Sequence, residues 1–214
     1  MKKWIFALGT FFSSLTMPTA RAEVEVTALA GSTRVGSYNR LLVEEAASIA
    51  RQRGAKVNVV DLADYPLPIY SEDFERVHGM PANAKKLRRL ILRSQAVMIA
   101  TPEYNGAVPG LLKNVIDWLS RSEDGTSSRE AFKGRFFAIM SASPGKGGGK
   151  NGAANLKQII EWIGGSVIPS SVAIADAGDA FDAKGLLIRP GDKEALENEI
   201  STLFETCCKE KFRD

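Results

Sequence analysis

Three stretches rich in hydroxyl, amide and glycine residues hold the residue types that could do chemistry. Residues 31–39 read Gly-Ser-Thr-Arg-Val-Gly-Ser-Tyr-Asn and run straight into a helical pattern. Hydroxyls, an arginine and unpaired backbone N–H groups at a helix start suit a phosphate monoester, because the helix dipole and the donors both favour an anion. No Gly-Lys-Ser/Thr follows, so this is not a Walker A loop, and without Gly-x-Gly-x-x-Gly a dinucleotide pyrophosphate is disfavoured. Taken alone, the same residues also read as a helix capped by Ser37 beside an exposed Arg34. The second stretch, residues 101–106, is Thr-Pro-Glu-Tyr-Asn-Gly. Its Pro102 stiffens the turn, the following N–H groups can face a planar heterocycle, and Tyr104 can pack beside it. In the third, residues 143–150, the run Ser-Pro-Gly-Lys-Gly-Gly-Gly-Lys lets backbone approach a ligand where side chains would collide. An isolated glycine run reads equally well as a flexible surface loop.

The elements around these stretches follow from periodicity. Residues 96–100 are continuously apolar, as in a parallel strand buried on both faces, and Pro109 fits the first turn of the helix after it. Strands are expected over 24–30, 57–62, 96–100, 135–141 and 167–173. Helices are expected over 39–53, 81–93, from 109 onward, around Leu156, Ile159, Ile160 and Ile163, and over 192–209. This alternation predicts an α/β fold with a five-stranded parallel sheet in the order 2-1-3-4-5 and helices on both faces. In that topology ligands lie beyond the carboxyl ends of the strands, and all three polar stretches fall at that edge. Residues 71–80, which include Phe74 and the single histidine, His78, show no clear helix or strand pattern and read as a segment that contacts a partner subunit and overhangs the ligand. His78 itself reads as a solvated loop residue; Arg121 and Arg129 could approach a nucleotide phosphate, but solvated surface charges are the better reading.

Composition narrows the classes. The 214 residues are 44% hydrophobic, enough for one core. A net charge of +3, with 28 basic residues interspersed among 25 acidic ones, makes nucleic acid a poor partner. At the N-terminus, Lys2 and Lys3 precede an uncharged apolar stretch over 4–17, and Ala20-Arg21-Ala22 supplies small residues at signal-peptidase spacing. Residues 1–22 therefore read as a cleavable signal, leaving residues 23–214 as the folded domain, while a true start at Met17 is the alternative. The stretch is too short for a stable membrane span. Cys207 and Cys208 are the two cysteines, and adjacent thiols would close a strained eight-membered ring, so they read as surface or packing thiols. No further cysteine or histidine accompanies them to suggest a metal site.

Taken together, Gly-Ser-Thr-Arg-x-x-Ser-x-Asn at 31–39, Thr-Pro-Glu-Tyr-Asn-Gly at 101–106 with Pro-Gly-Leu-Leu-Lys-Asn-Val-Ile-Asp-Trp after it, and the glycine loop before Asn155-Leu156-Lys157-Gln158 resemble the NADPH-dependent FMN reductase family. Asp64-Tyr65-Pro66-Leu67-Pro68-Ile69-Tyr70 is also similar to the family's loop after its second strand, and the resemblance spans about residues 24–176. It implies a flavodoxin-like fold and an FMN whose phosphate is held by Ser32, Arg34, Ser37 and Asn39. Pro102, Glu103, Tyr104, Asn105 and Gly106 would line the ribityl chain and ring, and Ser143, Gly145 and Gly148 would close over the pyrimidine end. It further implies no catalytic side chain, since hydride passes from NADPH or NADH to the flavin N5 and on to an acceptor such as a quinone, azo compound, free flavin or metal oxyanion. Members of the family form homodimers or homotetramers.

Two other functional classes share the same architecture. A flavodoxin-like electron carrier would bind FMN without NAD(P)H turnover, although such carriers are acidic and this chain is slightly basic. A binding protein that has lost its cofactor is the other. The family is mainly cytoplasmic, whereas the signal-like segment points to an exported, periplasmic protein.

Overall fold

The computed structural model describes residues 23–210, so the signal-like segment at 1–22 lies outside the described residues. Strands β1 (Glu25–Ala30), β2 (Lys56–Val60), β3 (Ala96–Ala100), β4 (Phe136–Ala142) and β5 (Ser166–Val167) are parallel and lie in the order β2-β1-β3-β4-β5. A further strand, β6 (Ala173–Ile174), pairs with β4 through Ser141 and Ala142. The single strand expected over 167–173 is thus divided in two. Pro169 has no amide hydrogen to give a ladder, which accounts for the break. Pairing reaches Ile168 N–H on the Phe137 carbonyl at 3.0 Å and resumes at Ser141 N–H on the Val172 carbonyl at 2.8 Å.

The helices are α1 (Tyr38–Gln52), α2 (Glu72–His78), α3 (Ala82–Arg93), α4 (Gly110–Leu119), α5 (Lys150–Trp162) and α6 (Pro190–Glu210). Strand alternation divides the core into two layers. Ala96, Met98 and Ala100 of β3 face α1 and α6, where they meet Ala46, Ala47, Ala50, Leu196 and Ile200. Val97 and Ile99 face the other way, toward Leu87, Ile91, Val115, Leu156 and Ile160. Alanines on both sides let α1 pack close to the sheet, which brings its amino end against the loop after β1. Cys207 is buried in the α6 layer, so the packing reading holds for it. Among the described residues no helix is long and apolar enough to cross a membrane.

The segment 71–80 contains α2 rather than irregular chain. Ser71 caps it by accepting from Phe74 N–H at 3.4 Å, Glu72, Asp73 and Glu75 supply acids to its first turn, and Gly79 ends it at φ 70°. Phe74 packs edge-on to the fully buried Trp118, and His78, which is exposed, lies 4.5 Å from the Phe74 ring. Trp118 belongs to the last turn of α4, about 12 Å along the axis from its start at 1.5 Å per residue, and Arg121, the partner of Glu75, follows just after the helix ends at Leu119. These contacts place α2 beside the far end of α4 from residues 101–106, not over them. Arg121 is not a solvated charge: it pairs with the buried Glu75 at 2.8 Å and lies over the Tyr70 ring. The carboxylate beside it raises the Arg121 pKa, and burial pushes the Tyr70 hydroxyl up.

Candidate functional site

The three polar loops converge because β1, β3 and β4 are neighbours in the sheet. Pairing runs on past the strands: Gly31 N–H donates to the Ala100 carbonyl at 2.8 Å, Thr101 N–H to Met140 at 2.9 Å, and Ser143 N–H to Ile174 at 3.0 Å. Gly31 sits so close to Leu112 and Pro102 that a Cβ there would approach them to 3.0 and 3.3 Å. The first and second loops are therefore in contact at their roots.

In the first loop, Gly36 takes a positive φ of 68° and closes a turn in which Ser37 N–H donates to the Arg34 carbonyl. Ser37 occupies the cap position of α1, yet its hydroxyl makes no bond to the helix, and the first turn of α1 has no acid. Ser32 and Ser37 are both buried, while Arg34 is exposed and lies 5.7 Å from the Tyr38 ring centre. Tyr38 in turn stacks on Phe181 at 6.1 Å, so residues beyond the 3-10 turn Ala177–Asp179 form the outer wall of this loop. Sequence reasoning missed that wall, since nothing local to Phe181 signals a contact with α1. Asn39 is placed at the same helix start, but its carboxamide faces inward: its Nδ2 donates to the Ala142 carbonyl and its Oδ1 accepts from the Ala142 N–H, both at 2.9 Å.

In the second loop, Asn105 and Gly106 have φ of 54° and 80°, and Tyr104 and Ala107 exchange backbone hydrogen bonds at 3.0 and 3.1 Å. This is an Asn-Gly turn with both central residues left-handed. It holds the Tyr104 ring out at the rim, 56% exposed, while Pro102 at the root of the turn is buried. Glu103 points back toward α5. Its Oε2 accepts from Asn151 and Gly152 N–H at 2.9 and 3.2 Å, and its Oε1 from Asn151 Nδ2 at 3.1 Å. The Asn151 side chain, then the Gly152 N–H, hold the Glu103 carboxyl below the usual carboxylate range. Gly152 permits the contact, because a Cβ there would come within 3.0 Å of Glu103 Cα. Asn155 adds a second tie, its Oδ1 accepting from Val108 N–H at 3.2 Å.

In the third loop, Ser143 Oγ accepts from Gly145 N–H at 3.2 Å and Ser141 Oγ donates to the Gly148 carbonyl at 2.8 Å. Gly145 is exposed at the tip, whereas Gly148 is buried at its base with φ 62°. The loop is thus tied to β4 and β6 rather than loose. Eleven of the twelve residues named from the sequence lie on these three loops, and Asn39 stands in the first turn of α1 beside them. Their donor set suits FMN: hydroxyls and a guanidinium at an uncapped helix start for the phosphate, and a rigid turn with an exposed tyrosine for a flat ring.

The comparisons agree with this geometry. Residues 24–179 match the model of a family described as NADPH-dependent FMN reductase. The chain is 32% identical over 184 residues to an NAD(P)H-dependent FMN reductase of Pseudomonas aeruginosa, covering 85% of this chain and 94% of that protein. It is 35% identical over 147 residues to a quinone reductase of Escherichia coli K12, covering 68% and 74%. Among solved structures it resembles FerB, a flavoenzyme NAD(P)H:(acceptor) oxidoreductase from Paracoccus denitrificans, with a TM-score of 0.72, 26% identity, and coverage of 87% of this chain and 98% of that one. With the matched region embracing all three loops, the chain belongs to the NADPH-dependent FMN reductase family.

Proposed function

We propose that this chain is an FMN-dependent NAD(P)H oxidoreductase that passes two electrons to a small acceptor such as a quinone, azo compound, free flavin or metal oxyanion. The observation that carries the reading is the start of α1, where an unengaged Ser37 hydroxyl, an acid-free first turn and Arg34 meet one edge of the three-loop cradle. Bound FMN supplies the redox chemistry. Ser32, Arg34 and Ser37 hold its phosphate, the Asn105-Gly106 turn and Tyr104 flank its ring, and Ser143 and Gly145 cover its far end. No side chain has to donate or remove a proton. With purified protein and added FMN, anaerobic NADPH or NADH is expected to bleach the bound flavin spectrum promptly. A bound flavin that both nucleotides leave oxidised would favour a one-electron carrier instead.

The protein is exported through residues 1–22 and works as a homodimer or homotetramer. Ile69, Val77 and Leu111, which are 79, 65 and 38% exposed on and beside the α2 and α4 layer, support the assembly. Light scattering should return a multiple of the chain mass, and sequencing of the mature amino end should begin near Glu23. A monomer mass would sink the first statement and an intact Met1 the second.

A further inference from the structure

The carboxyl edge contains side chains that bond to the main chain of a different loop, and this gives them a role separate from touching a ligand. We propose that Asn39 and Glu103 are positioning residues that pin the two ends of the third loop and so hold the FMN cradle in its binding shape before FMN arrives. The proposal rests on the FMN reading above. Asn39 reaches from α1 to Ala142, the last residue before the loop, and satisfies both its N–H and its carbonyl. Glu103 reaches from the second loop to Asn151 and Gly152, just after the loop ends. Between these pins the loop makes its own ties, among them Ser141 Oγ to the Gly148 carbonyl and Asp176 N–H to the Gly145 carbonyl at 3.3 Å. The ties inside the loop fix its shape, and the two pins fix where that shape sits relative to the other two loops.

Geometry separates this role from direct binding. Asn39 is only 3% exposed, and its oxygen and amide nitrogen are both bonded to Ala142. The phosphate then falls to Ser32, Arg34 and Ser37. The Glu103 carboxylate has both oxygens accepting from α5, so its side chain offers a flavin no donor. Preorganisation of this kind strengthens binding by removing the cost of ordering a loop at the moment of association.

The test compares FMN with riboflavin, which lacks the phosphate, by titrating wild type and variants and recording visible circular dichroism at flavin saturation. Arg34→Ala removes a charge-assisted contact and should weaken FMN by about tenfold while leaving riboflavin nearly unchanged. Asn39→Ala leaves two buried backbone groups unpaired and should weaken both flavins by about tenfold each, preserving their ratio. Glu103→Ala and Glu103→Gln are both neutral, so they separate geometry from charge. The glutamine keeps an acceptor for the α5 N–H groups and should retain wild-type dichroism, whereas the alanine should alter it and weaken both flavins. A merely structural role would lower the melting temperature without changing the dichroism of the saturated protein. An Asn39→Ala variant that loses affinity for FMN alone would make Asn39 a phosphate ligand and overturn the proposal. So would a Glu103→Ala variant with unaltered affinities and dichroism. Wild-type protein that binds neither flavin would overturn the cofactor reading itself, an outcome distinct from both.

Discussion

Gly148→Ala is expected to lose most of its FMN affinity and several kcal/mol of stability, while Gly147→Ala one residue away changes neither. Gly148 has a φ of 62°, a conformation that costs an L-residue about 1–2 kcal/mol. A Cβ there would stand 2.9 Å from the Ala173 carbonyl carbon and 3.0 Å from both the Ala173 oxygen and the Ala175 nitrogen. These are backbone atoms, so no rotamer change relieves the contact and either β6 or the loop must move. Overpacking of that kind costs about 1–3 kcal/mol more. Because the Gly148 carbonyl also receives the Ser141 hydroxyl, a shift there disturbs the loop against β4. Gly147 meets nothing within 4 Å and has no positive φ, which makes it the matched control. Urea unfolding and FMN titration of the two variants decide the matter: equal behaviour would show that the base of the loop tolerates a side chain.

The second large effect is a fall in stability with rising pH that Glu199→Gln should remove. Glu199 lies on α6 with no exposed surface, and burial pushes its carboxyl up to about 8. Its Oε2 accepts from Val172 N–H at 2.7 Å, whereas its Oε1 has no partner. The ordinary value for a glutamate is near 4.3. Below that value folded and unfolded chains both carry the proton, and the stability is fully present. Between there and about 8 the unfolded chain has released a proton that the folded chain still holds, so stability falls by at most about 1.4 kcal/mol per pH unit. Above about 8 the folded carboxyl ionises and the curve levels. Glu45, raised chiefly by burial, adds to the same slope, and the lowered Glu103, Asp124 and Asp182 act only at acid pH. The glutamine variant keeps an acceptor for Val172 but buries an unpaired amide. It should therefore start less stable at pH 5, end more stable at pH 8, and cross the wild-type curve between. Parallel curves from denaturant unfolding at the two pH values would refute the assignment.

The sheet order was legible because it follows from strand–helix alternation and crossover handedness, both of which a single chain displays. Residues 96–100 and 136–140 announce themselves by unbroken apolar runs. Helix α2 was less legible because its seven residues are too few for a periodic stripe, though Ser71 and Gly79 did mark its ends. What stabilises it is distant in sequence: Phe74 on Trp118 and Glu75 on Arg121. The break in the strand expected over 167–173 was missed, although Pro169 within it carried the signal. The loops were legible as a ligand edge, but the partners of individual side chains were not. Asn39 and Ala142 are 103 residues apart and Glu103 and Asn151 are 48 apart, and no local pattern encodes which polar atom meets which.

Both α1 and α5 begin at the carboxyl edge of the sheet, so each turns a positive helix end toward the proposed cradle. One of these ends is already plugged by the chain's own carboxylate, Glu103, and the other is open. The cradle is therefore keyed. Under the proposed function, an FMN with its phosphate on α1 would meet the open end, and one turned end for end would bring its dianion toward Glu103, so that repulsion would disfavour the reverse seating.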